Sequence, residues 1–268
     1  MSLSSRRHGF TLVELAVVLA IVALLLGGML MPLAAQRDLE NRRGTEKALA
    51  GAIDAILGFA AANGRLPCPA TAASSGLESF CAAPDPAQAC VETTAAQALG
   101  RCASAADGFL PAATLGLAPV DAAGFMLDAW NSRIRYAVSF VADPATSGAT
   151  TRYVFTAAGG MRSRTLPAMA GDAHLRICPD SACVTALTTQ AVLALWSNGA
   201  NAAASGGGAD ERENPGPASG AHPDPNANRF VSRATATAAA SGGEFDDLVG
   251  WLSAHVLYSR MIAAGQLP

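Results

Sequence analysis

Hydrophobic and polar positions change character twice along the first quarter of the chain. Residues 15–35 carry no charged side chain. The run is long enough to span a bilayer as a helix, because a hydrocarbon core of ~30 Å needs ~20 apolar residues. Arg6, Arg7 and His8 precede it, and Glu14 stands at its mouth. Residues 36–47 then turn polar, with Glu40, Arg42, Arg43, Glu46 and Lys47. Leu49, Ile53, Ile56, Leu57 and Ala60 follow at helical spacing and make one apolar face. Asn63-Gly64 supplies a C-terminal stop. The pattern predicts one long helix from about Thr11 to Ala62, roughly 75–80 Å long. Its first half would sit in a membrane and its second half on a globular domain. Gly27, Gly28 and Pro32 are the positions where it should bend or melt.

Beyond the helix the pattern shifts to short alternating runs. Residues 65–70 hold two prolines and must leave the helix extended. Residues 88–98 suit a short helix. Ile134, Tyr136, Val138 and Phe140 alternate with Arg135, Ala137 and Ser139, which predicts a strand. Further strands are expected at 152–157, 175–178, 183–187, 192–196, 229–233 and 247–252. Ser253 should cap a short helix running through Ala264, with a single amphipathic helix from Phe245 to Ala264 as the competing expectation. Alternation with short turns implies antiparallel pairing. The fold class is therefore α+β, with the second half of the long helix packed on an antiparallel sheet. Residues 197–228 form a low-complexity stretch rich in glycine, proline and acidic residues, long enough to be functional or disordered.

Composition narrows the function more than the fold. The chain has 268 residues, a net charge of −3 and only 15 % charged residues. No basic stripe follows Arg42-Arg43, so a nucleic-acid partner is not expected. The six cysteines, Cys68, Cys81, Cys90, Cys102, Cys178 and Cys183, all follow the apolar run. The arginines ahead of that run should stay cytoplasmic, which sends the cysteines to an oxidising compartment and favours disulfides. A local pairing is expected, Cys68–Cys81, Cys90–Cys102 and Cys178–Cys183, among the connectivities that six cysteines allow. Zinc is disfavoured, because no cysteine pair is spaced by two residues and no histidine is near.

The stretch Gly9-Phe10-Thr11-Leu12-Val13-Glu14-Leu15 resembles the cleavage and methylation motif of type IV prepilins, the family of type IV pilins and type II secretion pseudopilins. The resemblance covers only about the first 35 residues. It implies a pilin-like fold and removal of a basic leader, residues 1–9, by a prepilin peptidase. That enzyme would cut between Gly9 and Phe10 and methylate the new Phe10 amine. It also implies an assembly role for Glu14, paired with the ammonium of a neighbouring subunit. Residues 10–35 would be the transmembrane and assembly half, and residues 36–268 a periplasmic domain that includes helix residues 36–62. A secretory signal is the competing interpretation, but its small cleavage residues would follow the apolar run, whereas Gly9 precedes it. A twin-arginine signal built on Arg6-Arg7 lacks its remaining residues.

The acidic loop is the one candidate for a ligand. Asp210, Glu211, Glu213 and Asn214 are oxygen donors of the kind that suits calcium, with Asp224, Asn226 and Asn228 further on and Asp246 and Asp247 in the next segment. Major pseudopilins of type II secretion bind calcium near the C-terminus, so the resemblance points the same way. The spacing is not that of an EF-hand, and the sequence alone favours a solvated acidic loop over a calcium site. Asp128-Ala129-Trp130-Asn131 looks like the aspartate-x-tryptophan-glycine turn of those pseudopilins, with Asn131 in place of glycine. Asparagine tolerates the left-handed conformation such a turn needs. No catalytic set is present: there is no nucleophile elbow, phosphate loop or zinc-protease helix, and His8, His174, His222 and His255 are isolated in sequence.

These features predict a structural protein and not an enzyme: a pseudopilin or minor pilin in the inner membrane, single-pass, with its C-terminal domain periplasmic. Its partners would be prepilin peptidase, other pilins and the inner-membrane assembly platform. A tip adhesin or substrate-binding module on a pilus-like filament is the alternative.

Overall fold

The computed structural model describes residues 11–202, 208–216, 228–240 and 242–267, leaving aside the side chains of 26–35. The chain divides into two compact units, Met1–Arg43 and Gly44–Pro268. The division falls inside a single helix, α1 (Leu12–Asn63), which continues through Gly27, Gly28 and Pro32.

In the first unit α1 is a solvent-facing helix. Leu12, Val13, Leu15, Val17, Val18, Leu19, Ile21, Leu24 and Leu25 are all more than half exposed or at that boundary. Asp38 and Arg42, one turn apart, form an ion pair of 3.1 Å. An exposed pair of this kind stabilises a helix by only ~0.3–0.5 kcal/mol.

In the second unit the periodicity of α1 becomes a buried face. Thr45, Leu49, Ala52, Ile56 and Ala60 are buried at spacings of three or four residues, with Leu57 beside Ile56 buried too. Gly64 ends the helix at φ +68°, a conformation that glycine adopts without strain, and its amide bonds to the Ala60 carbonyl. Arg65 then forks onto Glu78 with contacts of 2.7 and 2.6 Å, fixing the proline-rich exit. Two short strands follow, β1 (Phe80–Cys81) and β2 (Glu92–Thr93), paired antiparallel. Next come β3 (Gly108–Phe109), α2 (Ala112–Leu115), β4 (Arg135–Val138), α3 (Leu166–Asp172), β5 (Leu175–Cys178) and β6 (Thr188–Ser197). The chain finishes with α4 (Ala209–Arg212), β7 (Arg229–Val231), β8 (Leu248–Ser253) and α5 (Ala254–Ala263).

The long strand β6 organises a six-stranded sheet. Its Ala191 pairs with Leu175 of β5 and with Ser253 of β8, so both of its edges are occupied. β4 lies along its second half, β3 beyond β4, and β7 beyond β5. A register irregularity between Ala191 and Leu193 turns Val192 and Leu193 to the same face. That face joins Tyr136, Val138, Leu195 and Leu252 to the α1 residues Leu49, Ile56 and Ala60. Gly250 of β8 lets α1 close in: a Cβ there would lie 3.3 Å from Ile53. The opposite face holds Ala137, Ile177, Ala194, Trp196 and Phe230, with Val249 and Trp251 against them. The sheet is therefore buried on both sides.

The architecture is α+β, as the alternation implied, with several corrections in detail. The sheet is not wholly antiparallel, because β5 and β7 run parallel. Residues 152–157 form no strand. Tyr153 and Phe155 spend their backbone groups on Leu99 and Leu66, and a helical turn closes from Tyr153 to Ala157. Residues 183–187 form no strand either, since Cys183 sits at φ +47° with its amide on Asp180. Residues 88–98 hold β2 and turns instead of a helix. Two disulfides pair differently from the local expectation: Cys68–Cys102 and Cys81–Cys90, the second nested within the first. The β1–β2 ladder and the Phe80–Cys102 bridge bring these partners together. Cys178–Cys183 forms as expected.

Candidate functional site

The processing residues Gly9 and Phe10 lie outside the described residues. Glu14 lies within them, and its position has a local cause. Thr11 is the N-cap of α1: its Oγ1 accepts the Glu14 amide at 3.2 Å. Threonine followed three residues later by glutamate is the capping-box pattern, which satisfies helix-end amides that would otherwise lack partners. The sequence already carried this signal, and it places Glu14 in the first turn, where the positive end of the helix dipole favours a carboxylate. Among the described residues no helix is long and apolar enough to cross a membrane.

The acidic loop separates into residues with different duties. Asp210, on α4, is ion-paired with Arg233 at 2.8 Å and accepts the Ser181 amide at 2.8 Å. Glu213 is held by Arg229 through two contacts of 2.8 Å. Asn214 brackets Val231 on β7, accepting its amide and donating to its carbonyl, and also donates to Asp247 Oδ2 at 2.8 Å. Asp210 and Glu213 are thus occupied by arginines. Among Asp210, Glu211 and Glu213, it is Glu211 that turns toward other carboxylates. It meets Asp246 and Asp247, with one oxygen from each of the three within 4.8 Å of the others. Asp224 and Asn226 lie outside the described residues, and Asn228 spends its carbonyl on Arg176.

This trio is a concentration of negative charge with little to offset it. Asp247 is almost wholly buried, and burial pushes its carboxyl well above the ordinary range, with Glu211 and Asp246 adding repulsion. Burial also raises Asp246 and Glu211. Asp246 Oδ2 accepts the amides of Ala200 and Asn201 at 2.7 and 3.1 Å, and Glu211 accepts from the Asn201 side chain and the Asp246 amide. The other oxygen, Asp246 Oδ1, is buried without a hydrogen-bond partner, in a residue only 9 % exposed. A buried acceptor left unmatched costs about 1–3 kcal/mol, more when charged. An all-oxygen donor set with a spare buried oxygen fits a hard divalent cation such as calcium. Asn201 and the two amides of the 199–201 turn had no signal in the sequence beyond lying in a glycine-bearing loop.

The Asp128 turn forms as its residues suggested. Asn131 adopts φ +68°. Asp128 Oδ1 accepts the amides of Trp130 and Ser132 at 2.9 and 2.8 Å, and its Oδ2 accepts the Ser197 hydroxyl. Trp130 is not buried in the core.

Residues 4–30 match the family model of the prokaryotic N-terminal methylation motif. Comparison with curated proteins and with solved structures gives no match. The motif implies a membrane-associated, processed protein of a structural family. Together with the N-terminal helix and the α+β domain described above, this match supports a type IV pilin-like or pseudopilin-like protein.

Proposed function

We propose that the chain is a minor subunit of a type IV pilus or type II secretion pseudopilus, assembled through α1 after a prepilin peptidase removes residues 1–9. The observation that carries this reading is the methylation motif at residues 4–30, set at the head of a helix whose apolar side chains are exposed. In this reading residues 10–35 cross the inner membrane, the N-terminus is cytoplasmic and the domain from residue 36 is periplasmic. The exposed apolar face then finds cover first in lipid and later against the helices of other pilins on the assembly platform. Glu14 pairs there with a neighbour's Phe10 ammonium. The nested disulfides and the long loop between β6 and β7 suit a low-copy position better than a repeated lattice.

The carboxylate trio adds a ligand to this reading. Glu211, Asp246 and Asp247 would hold calcium, with Asp246 Oδ1 supplying the unmatched oxygen, and the bound cation would tie the loop after β6 to the start of β8. No role for Asp210 or Glu213 as ligands is retained, because arginines occupy both.

Intact mass of the chain expressed with and without a prepilin peptidase tests the assembly reading. Loss of residues 1–9 and gain of one methyl group, only when the peptidase is present, is the expected result. A chain left whole by an active peptidase, or cut after the apolar run, would overturn it.

A further inference from the structure

Two routes of contact run from the Cys178–Cys183 loop to opposite sides of the carboxylate trio. The disulfide closes residues 179–182 into a tight turn, and Asp180 Oδ1 accepts the Cys183 amide at 2.8 Å. At its apex the Ser181 amide donates to Asp210 Oδ1 at 2.8 Å. Asp210 is 3 % exposed and immediately precedes Glu211 on the single turn of α4. Its other oxygen meets Arg233 at 2.8 Å as an ion pair. Arg233 in turn donates to the Gly243 carbonyl at 3.0 Å and lies 4.9 Å from the centre of the Phe245 ring, one residue before Asp246. The second route starts at the other end of the loop. Cys178 pairs with Val231 in the parallel ladder, Val231 brackets the Asn214 side chain, and Asn214 donates to Asp247.

A four-residue helix has too little intrinsic stability to hold its own orientation, because helix nucleation is costly and α4 has no side-chain cap. Something outside it must fix the direction in which Glu211 points. Asn201 and the Asp246 amide hold the Glu211 carboxylate, and Asp210 holds the turn that carries it, anchored on one side by the closed loop and on the other by Arg233.

We infer that the disulfide-closed loop 179–182 is the positioning element of the cation site, acting through Asp210 to aim Glu211 at Asp246 and Asp247. This rests on the proposal that the trio binds calcium. Asp210, Ser181 and Arg233 are positioning residues that never touch the cation. Opening the loop releases Asp210 and lets Glu211 swing out of the trio. Partners that orient a ligand without touching the metal typically alter affinity by 10–100-fold.

Calcium titration of the full chain in detergent micelles, followed by calorimetry, tests this. Cys178→Ser/Cys183→Ser and Asp210→Ala should each weaken calcium binding by about 10–100-fold. Asp210→Asn keeps an oxygen for the Ser181 amide but loses the charge that pairs with Arg233, so it should bind more weakly than the wild type and more tightly than Asp210→Ala. Cys81→Ser/Cys90→Ser, a disulfide with no route to the trio, should leave the affinity unchanged even where it lowers the melting temperature. A general loss of fold would lower melting equally with and without calcium, whereas a positioning role shrinks the rise that calcium produces. A wild type that binds no calcium defeats the cation reading itself. A wild type that binds, with loop-opened and Asp210→Ala variants that bind as well, overturns the inference alone. Loss in Asp210→Asn as large as in Asp210→Ala would overturn the loop route, because the charge and not the hydrogen bond would then be what matters.

Discussion

Thr45, fully buried on α1, accepts the backbone amide of Ala129 at 3.1 Å across 84 residues of sequence. This contact ties the helix to the Asp128 turn, which in turn holds Ser197 at the end of β6. One hydroxyl therefore joins the helix to the strand at the centre of the sheet.

Thr45→Val keeps the volume and removes the acceptor. The Ala129 amide, in an exposed residue, then loses its protein partner, a loss of about 0.5–1.5 kcal/mol. Thermal melting of the variant should show it, at ~2–4 °C per kcal/mol for a domain of this size. An unchanged melting curve would mean that the turn is held by Asp128 alone.

The nested cysteines give a second outcome. Non-reducing peptide mapping should recover Cys68 joined to Cys102 and Cys81 joined to Cys90, with no free thiol among the six. Cys68–Cys102 closes the longer loop, 34 residues apart. Its removal should therefore cost more, about 3–4 kcal/mol on the chain-entropy model, than removal of Cys81–Cys90. Recovery of Cys68 joined to Cys81 would contradict the fold between β1 and β3.

His174 predicts a pH dependence. Its Nδ1 is 2.7 Å from the Ser139 hydroxyl, its ring meets Phe140 edge-on at 4.5 Å, and its Nε2 is buried without a partner. The nearby Asp172 carboxylate is already taken by Arg164. Burial lowers the imidazole from 6.5 to about 4. Between those values the unfolded chain binds a proton that the folded chain refuses. Stability contributed by the neutral ring is thus complete above pH 6.5 and is lost as pH falls toward 4, by at most about 3 kcal/mol. Denaturant titrations across this window should slope upward with pH in the wild type and less steeply in His174→Gln. Equal slopes would show that the ring is not desolvated.

Glu14 carries the assembly mechanism proposed above. Glu14→Ala leaves a neighbour's ammonium unpaired in an apolar bundle, and breaking such a pair costs ~3–5 kcal/mol. The variant should insert and form its disulfides normally, yet fail to cross-link through cysteines placed on the helices of partner pilins. Cross-linking as efficient as in the wild type would reduce Glu14 to an N-terminal charge favourable to its own helix.

Much of this architecture was legible because it rests on local periodicity. The α1 face from Leu49 to Ala60, the Gly64 stop, the Ser253 cap and the strands around Tyr136 and Leu252 follow from spacing alone. The capping box of Thr11 and Glu14 was equally local. What escaped depended on contacts distant in sequence. Residues 152–157 have strand composition, but Leu66 and Leu99 claim their backbone groups before a ladder can form. The cysteine pairing is set by the β1–β2 ladder, which two residues per strand cannot announce. The acidic loop showed its donors and hid their partition, because Arg229 and Arg233, which remove Glu213 and Asp210 from the ligand set, act from another strand and its flank.

Trp196 offers a built-in optical gauge of that loop. Its indole Nε1 donates to the Pro215 carbonyl at 3.0 Å, and its ring stacks at a tilt against Phe230, 5.0 Å away. Pro215 follows Asn214, the residue that reaches Asp247. Any event that lifts this part of the loop from the sheet must break the indole bond and admit water to the ring. With Trp130 and Trp251 replaced by phenylalanine, the emission colour of a single chromophore would follow loop docking in real time, in a chain still attached to its helix.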